Sequence, residues 1–421
     1  MNGSRSDGKS FGIEKMQVWE AYQKVRNNKG AAGVDGVSLG KFEADLKNNL
    51  YKVWNRMSSG TYFPPPVMAV EIPKKDGGVR VLGVPTVADR VAQTTAAMVL
   101  EEAVEPLFHA DSFGYRPGRS ALDAVRVCRD RCWRKTWVID LDITAFFDTV
   151  PHDRIIQAVE RHTDQRWVLL YVKRWLSAPM QRQNETLVTR DRGTPQGSAI
   201  SPVLANLFMH YAFDRWISRE FPMVEFERYC DDVVVHCVTE GQAKQVLEAI
   251  IARLTTFGLQ VHPDKTRIVY CKDQQRGGDY PTTEFTFLGY TFRARGVKRK
   301  DGRMITRVMP AASKQAKKAM AATIRSWGLG RRANLNWKEL AARINPVIAG
   351  WVNYYGHFYG FELYETLRRV NEHLARWLIR KYKRLRRSYR KAFALLYKVS
   401  QTYPGMFRHW RWGAKPHPIG Q

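Results

Sequence analysis

Cysteine is scarce in this 421-residue chain: Cys128, Cys132, Cys230, Cys237 and Cys271, an odd number with no CxxC pair. That argues against a disulfide-stapled scaffold and a zinc ribbon, and leaves reduced thiols. Cys128 and Cys132 stand one helical turn apart, but no His or Cys nearby in sequence completes a ligand set, so the pair reads as helix packing. Long apolar runs are missing too: none approaches the ~20 residues of a membrane-spanning helix, and the polar start MNGSRSDGKS has no secretory apolar segment. These absences predict a cytoplasmic protein without a membrane partner. Gly30 to Val37 sets three glycines around Asp35, tempting as a phosphate cradle, but it lacks the Lys-Ser/Thr of a P-loop, which argues against ATP binding.

Acidic residues are rare in one region only. Arg293 to Gln421 holds 30 Lys+Arg against 5 Asp+Glu, so +25 of the net +28 falls there and only +3 on the residues before it. A solvated basic face does not require such one-sidedness. The basic residues alternate with Trp327, Trp337, Trp351, Tyr354, Tyr355, Trp377, Tyr382, Tyr389, Trp410 and Trp412. Cations suit phosphates and aromatic rings suit stacked bases, which points to nucleic acid; no clean amphipathic helix favours anionic lipid.

What is present centres on Tyr229-Cys230-Asp231-Asp232, followed by Val233-Val234-Val235. β-Branched residues favour a strand, and an Asp pair at its start predicts a hairpin tip. Adjacent carboxylates repel unless a cation sits between them and a third acid, and a divalent metal answers that need. The strand Trp137 to Ile143 offers Asp140 and Asp142, two apart and facing one way, as candidates for that third acid. Upstream, helices are expected over Ile13 to Asn28, Lys41 to Met57 and Thr86 to Phe108, the last carrying Asp89-Arg90 as an internal pair. A hairpin is expected from Val67 to Pro85 around Asp76-Gly77, with Lys74 and Arg80 on its arms, able to clamp a polyphosphate. Gln196-Gly197-Ser198, at an expected helix start, offers N–H groups and an amide to a flat ligand.

The order of these pieces resembles the successive motifs of reverse transcriptases, and more narrowly those of proteins encoded within bacterial group II introns. The basic hairpin comes first, then Asp142-Ile143-Thr144-Ala145-Phe146-Phe147-Asp148, Pro195-Gln196-Gly197-Ser198 and the Asp231-Asp232 tip. Gly258-Leu259-Gln260-Val261-His262-Pro263-Asp264-Lys265-Thr266, Phe287-Leu288-Gly289-Tyr290 and the maturase-like Gly350-Trp351-Val352-Asn353-Tyr354-Tyr355 follow. The resemblance runs from about Gly30 to the C-terminus.

The resemblance implies an α+β right-hand polymerase. Fingers and palm would span 1–292 with an N-terminal extension over 1–60, a helical thumb and maturase X domain 293–379, and a small basic DNA- and RNA-binding region 380–421. It implies that Asp142, Asp231, Asp232 and the Ile143 carbonyl hold two Mg²⁺ ions, with Mn²⁺ able to substitute, and that Asp140 is structural. Lys74 and Arg80 would hold the triphosphate, Gln196 the incoming nucleotide, and Phe147 would exclude a ribose 2′-OH. Lys265 would act as general acid toward pyrophosphate, Gly289 would lie in the primer grip, and Arg380, Arg384, Arg386 and Arg387 would meet RNA.

Cys230 stands where the family usually has Ala, a slightly larger side chain at a position that abuts the primer end. No cysteine follows Cys271, so the expectation is the short form lacking an endonuclease domain. The expected function is RNA-directed DNA synthesis in the bacterial cytoplasm at the nucleoid. Its partners would be group II intron RNA, an RNA template, a DNA primer, a DNA target and dNTPs, and its role to assist splicing and retrohoming. Two rivals are a splicing-only maturase with an idle polymerase site and an intron-free relative in DNA repair or phage defence. Oligomeric state is left open.

Overall fold

The computed structural model describes residues 9–73, 77–299 and 301–418, so Lys74 lies outside the described residues. The chain forms two compact units interleaved in sequence. One takes Met1–Ser120, Leu141–Val235 and Gly241–Thr266; the other takes Ala121–Asp140, His236–Glu240 and Arg267–Gln421.

In the first unit, helix Lys15–Asn27 buries Val18, Ala21, Tyr22 and Val25, an i, i+3, i+4, i+7 face. The helix expected over Lys41 to Met57 is instead two, Leu39–Ala44 and Leu46–Ser58, parted where Asp45 leaves helical geometry at φ −129° and ψ 49°. Asn48 Nδ2 donates to Asp45 Oδ1 at 2.8 Å across the break. The basic hairpin forms as Val67–Pro73 and Val79–Val84, antiparallel, with Ile72 opposite Arg80. Met180–Gln181 and Leu187–Val188 extend it to a four-stranded sheet.

Helix Val87–Val104 is deeply buried through Val91, Ala92, Ala96 and Leu100. Asp89 and Arg90 do not pair, because neighbours on a helix face different directions. Asp89 accepts hydrogen bonds from Tyr62, Trp175 and Gln93 at 2.8 to 2.9 Å, and Arg90 donates to the Ala31 carbonyl. The glycine loop serves close backbone approach: a Cβ on Gly33 would sit 2.6 Å from the Thr86 nitrogen.

In the second unit, residues 137–140 of strand Trp137–Leu141 pair antiparallel with Arg267–Tyr270. The strand stops two residues short of the expected Ile143, and Asp140 stays on it, 3.4 Å from Arg267. The helical region expected from about Arg293 begins instead at Lys314, because Tyr290–Lys298 and Met304–Ala312 form a long antiparallel hairpin around Asp301-Gly302. An Asp-Gly turn between alternating residues is a hairpin signal that outweighs the local charge.

The helices beyond it pack around Leu340, Ile344, Ile348, Leu363, Leu367, Val370 and Leu374. Trp377 and Trp410 are fully buried in this core. Their indole N–H groups donate to the Arg332 carbonyl and Asn371 Oδ1, so they join helices and are not free to stack on bases.

Glu362 in this unit accepts from Arg293 at 2.9 Å, Arg295 at 3.3 Å and Lys317. Burial would raise its carboxyl, but the hydrogen bonds from Lys317 and Arg293 and the charges of Lys317 and Arg295 hold it down at about 2, against 4.5 ordinarily. A depressed carboxyl adds stability that is complete above the unfolded value and disappears as pH falls through the folded one. Arg293 is half exposed, so solvent screening reduces the contribution to about 1–2 kcal/mol. Glu362→Gln is therefore expected to melt several degrees lower than the native chain above pH 4.5, with the gap closing toward pH 2. A gap independent of pH removes the ion-pair explanation.

Candidate active site

Asp142 is strapped in place by the loop that follows helix Glu240–Thr256. Its N–H donates to Thr266 Oγ1 at 3.1 Å, its carbonyl accepts from His262 N at 2.8 Å, and Thr144 N donates to the Gln260 carbonyl at 2.8 Å. Ile143 consequently faces Val261 as an antiparallel bridge. The same loop brings Lys265, whose Nζ lies 3.7 Å from Asp142 Oδ2.

The acid pair forms the expected hairpin tip. Strands Glu225–Tyr229 and Asp232–Cys237 are neighbours in one sheet, joined through Cys230 and Asp231. Cys230 is buried and adopts φ 63°, a left-handed conformation unusual for a residue with a side chain. Burial pushes the Asp231 carboxyl up; a hydrogen bond from the Cys230 thiol and the charge of Arg80 oppose this, and Asp142 adds to it.

Phe147 sits in a short helix, Phe146–Thr149, entered through Ala145 at φ 46°. Its carbonyl accepts from Thr194 N at 2.7 Å, and Gly193 lies so close that a Cβ there would be 2.7 Å from the Phe147 oxygen. The Gln196 turn is anchored from two sides. Gly83 N donates to the Gln196 carbonyl at 2.7 Å, and Arg80 Nε donates to the Gln196 side chain. Behind the turn, Ser198 Oγ and Ala199 N donate to Gln93 Oε1, whose amide donates in turn to Asp89.

Burial lifts Asp89 to about 6 although Trp175, Tyr62 and Gln93 hydrogen-bond its charged form. Sequence reasoning missed Gln93. Two polar residues at i and i+4 inside an apolar helix were the available signal. Gln196 to Ala199 also precede the helix, which opens at Ser201 and not at the turn.

Arg80, Asp142, Ile143, Phe147, Gln196, Asp231 and Lys265 all line one cleft of about 1010 Å³. Asp232 stands outside the described lining; it opens the next strand, where successive side chains alternate between faces. Among the chemical groups gathered here, the negative ones are carboxylate oxygens, hard donors that fit Mg²⁺ better than a thiophilic metal.

Gly289 lies in the second unit in a two-residue turn, with Leu288 at φ 50° and itself at φ 80°, and Tyr355 Oη would be 2.9 Å from any Cβ there. Arg380, Arg384, Arg386 and Arg387 are exposed around the end of helix Phe361–Lys381, with Leu385 buried among them.

The reverse transcriptase (RNA-dependent DNA polymerase) family model matches residues 72–292. This chain belongs to the reverse transcriptases. The reverse transcriptase also carries the group II intron maturase-specific domain over residues 317–393. It is 30% identical over 312 residues to protein YkfC of Escherichia coli, covering 64% of this chain and 78% of that one. It is 30% identical over 191 residues to the group II intron-encoded protein LtrA of Lactococcus lactis, covering 45% of this chain and 32% of LtrA. Telomerase of Candida albicans aligns over 88% of this chain and 71% of its own, at 12% identity and a TM-score of 0.47.

The reverse transcriptase accordingly has the α+β right-hand polymerase fold and is an RNA-directed DNA polymerase joined to a splicing-assisting maturase domain. Its family implies dependence on a divalent metal and binding to RNA and other nucleic acid.

Proposed function

We propose that the reverse transcriptase copies an RNA template from a DNA primer using two Mg²⁺ ions. Asp142, the Ile143 carbonyl and Asp231 would hold them, and Asp232 would complete the set. When bound, the metals would activate the primer 3′-OH and stabilise the leaving pyrophosphate. The observation that carries this reading is the convergence of residues from Arg80 to Lys265 on one cleft. Arg80 and Gln196, already tied to each other, would meet the triphosphate and the incoming nucleotide. Lys265 would hand a proton to pyrophosphate from its place beside Asp142. Phe147 would press its ring against the sugar C2′.

The same enzyme would bind group II intron RNA through the maturase-specific domain and its basic end, assist splicing, and by target-primed synthesis carry the intron into DNA. On this reading it acts in the bacterial cytoplasm at the nucleoid. The cleft's intact acids count against a splicing-only maturase with an idle polymerase site.

Primer extension on an RNA template with dNTPs or rNTPs tests the proposal. The native chain is expected to make cDNA and to discriminate strongly against rNTPs. Phe147→Ala should retain dNTP use and lose at least ~10-fold of that discrimination, about 1.4 kcal/mol. Unchanged discrimination would remove the gate, and no extension by the native chain would remove the polymerase reading.

A further inference from the structure

Beneath the catalytic turn lies a buried cation that the chemistry described above does not use. Arg228 is the penultimate residue of strand Glu225–Tyr229, and both it and Asp214 are 0% exposed. A guanidinium has five N–H groups in a planar fork, and here all five are engaged. Nε donates to Asp214 Oδ1 at 2.6 Å, and Nη2 to Asp214 Oδ2 at 2.5 Å and Ser112 Oγ at 2.8 Å. Nη1 donates to Asn206 Oδ1 at 3.0 Å and to the Cys230 carbonyl at 2.9 Å. That last bond reaches the left-handed residue immediately before Asp231.

The surrounding elements are shaped to the same end. Asp214 closes a π-helical segment, His210–Asp214, inserted between helices Ser201–Met209 and Arg215–Glu220. Such an extra residue per turn re-aims the side chains that follow and is found often at functional sites. The loop before Tyr115 pairs with the strand, as Arg228 N donates to the Asp111 carbonyl and Phe113 N to the Arg228 carbonyl. Asn206 Nδ2 holds the Gly114 carbonyl at 2.7 Å, and a Cβ on Gly114 would lie 2.5 Å from the Cys230 nitrogen. The turn is thus pinned by a backbone on one side and a guanidinium on the other.

We infer that Arg228 is a positioning residue: through the Cys230 carbonyl it holds the strained turn in the geometry that aims the Asp231 carboxylate at the cleft, and Asp214 neutralises it. This rests on the reading of Asp231 as a metal-binding carboxylate. Lysine could keep the charge opposite Asp214, but its three donors cannot meet Asp214, Ser112, Asn206 and the turn together.

The test is single-nucleotide incorporation as a function of Mg²⁺ concentration, with primer–template affinity and melting temperature measured alongside, for native, Arg228→Lys, Ser112→Ala and Asp231→Ala chains. A displaced metal ligand predicts, for Arg228→Lys, a maximal rate lower by ~100-fold and a Mg²⁺ half-saturation ~10-fold higher, with primer–template affinity unchanged. Ser112→Ala, which leaves the ion pair intact, should shift Mg²⁺ half-saturation in the same direction by ~3-fold. A role confined to stability would instead lower the melting temperature and the active fraction at native Mg²⁺ half-saturation, and that result overturns the inference. Should Arg228→Lys fail to fold, Ser112→Ala decides on the same criterion. If the native chain extends primers, Asp231→Ala does not and Arg228→Lys matches native, only the positioning role falls. If Asp231→Ala is as active as native, the metal-site reading falls and takes this inference with it.

Discussion

Asp231→Ala is expected to lower cDNA synthesis at least ~10³-fold, about 4 kcal/mol of transition-state stabilisation, while leaving affinity for RNA within a factor of two. The reason lies in how the site is supported. Asp231 sits on a buried turn, shares a cleft with Asp142, and has burial and Asp142 both working against its charge. A carboxylate held there against its own preference is stabilised by a cation, and removing it takes away one of the proposed metal-binding carboxylates. RNA affinity should not follow, because the basic excess falls on Arg293 to Gln421. The measurement pairs primer extension with a filter-binding or anisotropy titration of the same preparation. Retained synthesis would remove the site assignment; parallel loss of RNA binding would show that the variant had misfolded.

Replacing Arg380, Arg384, Arg386 and Arg387 together by Gln is the second large effect. Every cation withdrawn from a phosphate should flatten the dependence of log affinity on log salt by roughly 0.7–0.9, so the slope should fall by roughly 3 and affinity at low salt by ~10²-fold or more. All four side chains are exposed, and the neighbouring Leu385 provides the buried anchor, so the substitution should leave melting temperature nearly unchanged. Template-primed synthesis on a saturating short duplex should continue. An unchanged salt slope would place the RNA on another surface.

The aromatic residues of the same region show where composition misleads. Trp377 and Trp410 alternate with cations along the chain and so look like stacking platforms, yet both are fully buried and hydrogen-bonded across helices. Tyr389, by contrast, is exposed. Periodicity says which residues share a helix face; it does not say which face is covered.

The sequence alone marks the acid-pair turn, the basic hairpin, the Phe147 and Gln196 segments and their order, because each is a local pattern: adjacent acids before β-branched residues, Asp-Gly between alternating residues, Gly-rich breaks. It also determined the charge asymmetry, which needs only counting. The folded chain selected which acid serves the cleft. Asp140 and Asp142 look alike at period two, but Asp140 remains on its strand beside Arg267 while Asp142 is strapped to the His262–Thr266 loop. It decided as well that the region from Arg293 opens as a hairpin, that Asp89 and Gln93 back the Gln196 turn, and that Arg228 underlies Asp231. Those facts depend on partners more than a hundred positions away in several cases, as with Ser112 and Arg228 or Gln93 and Ser198. A buried charge becomes tolerable only when such partners arrive together, and that convergence is a property of the folded chain.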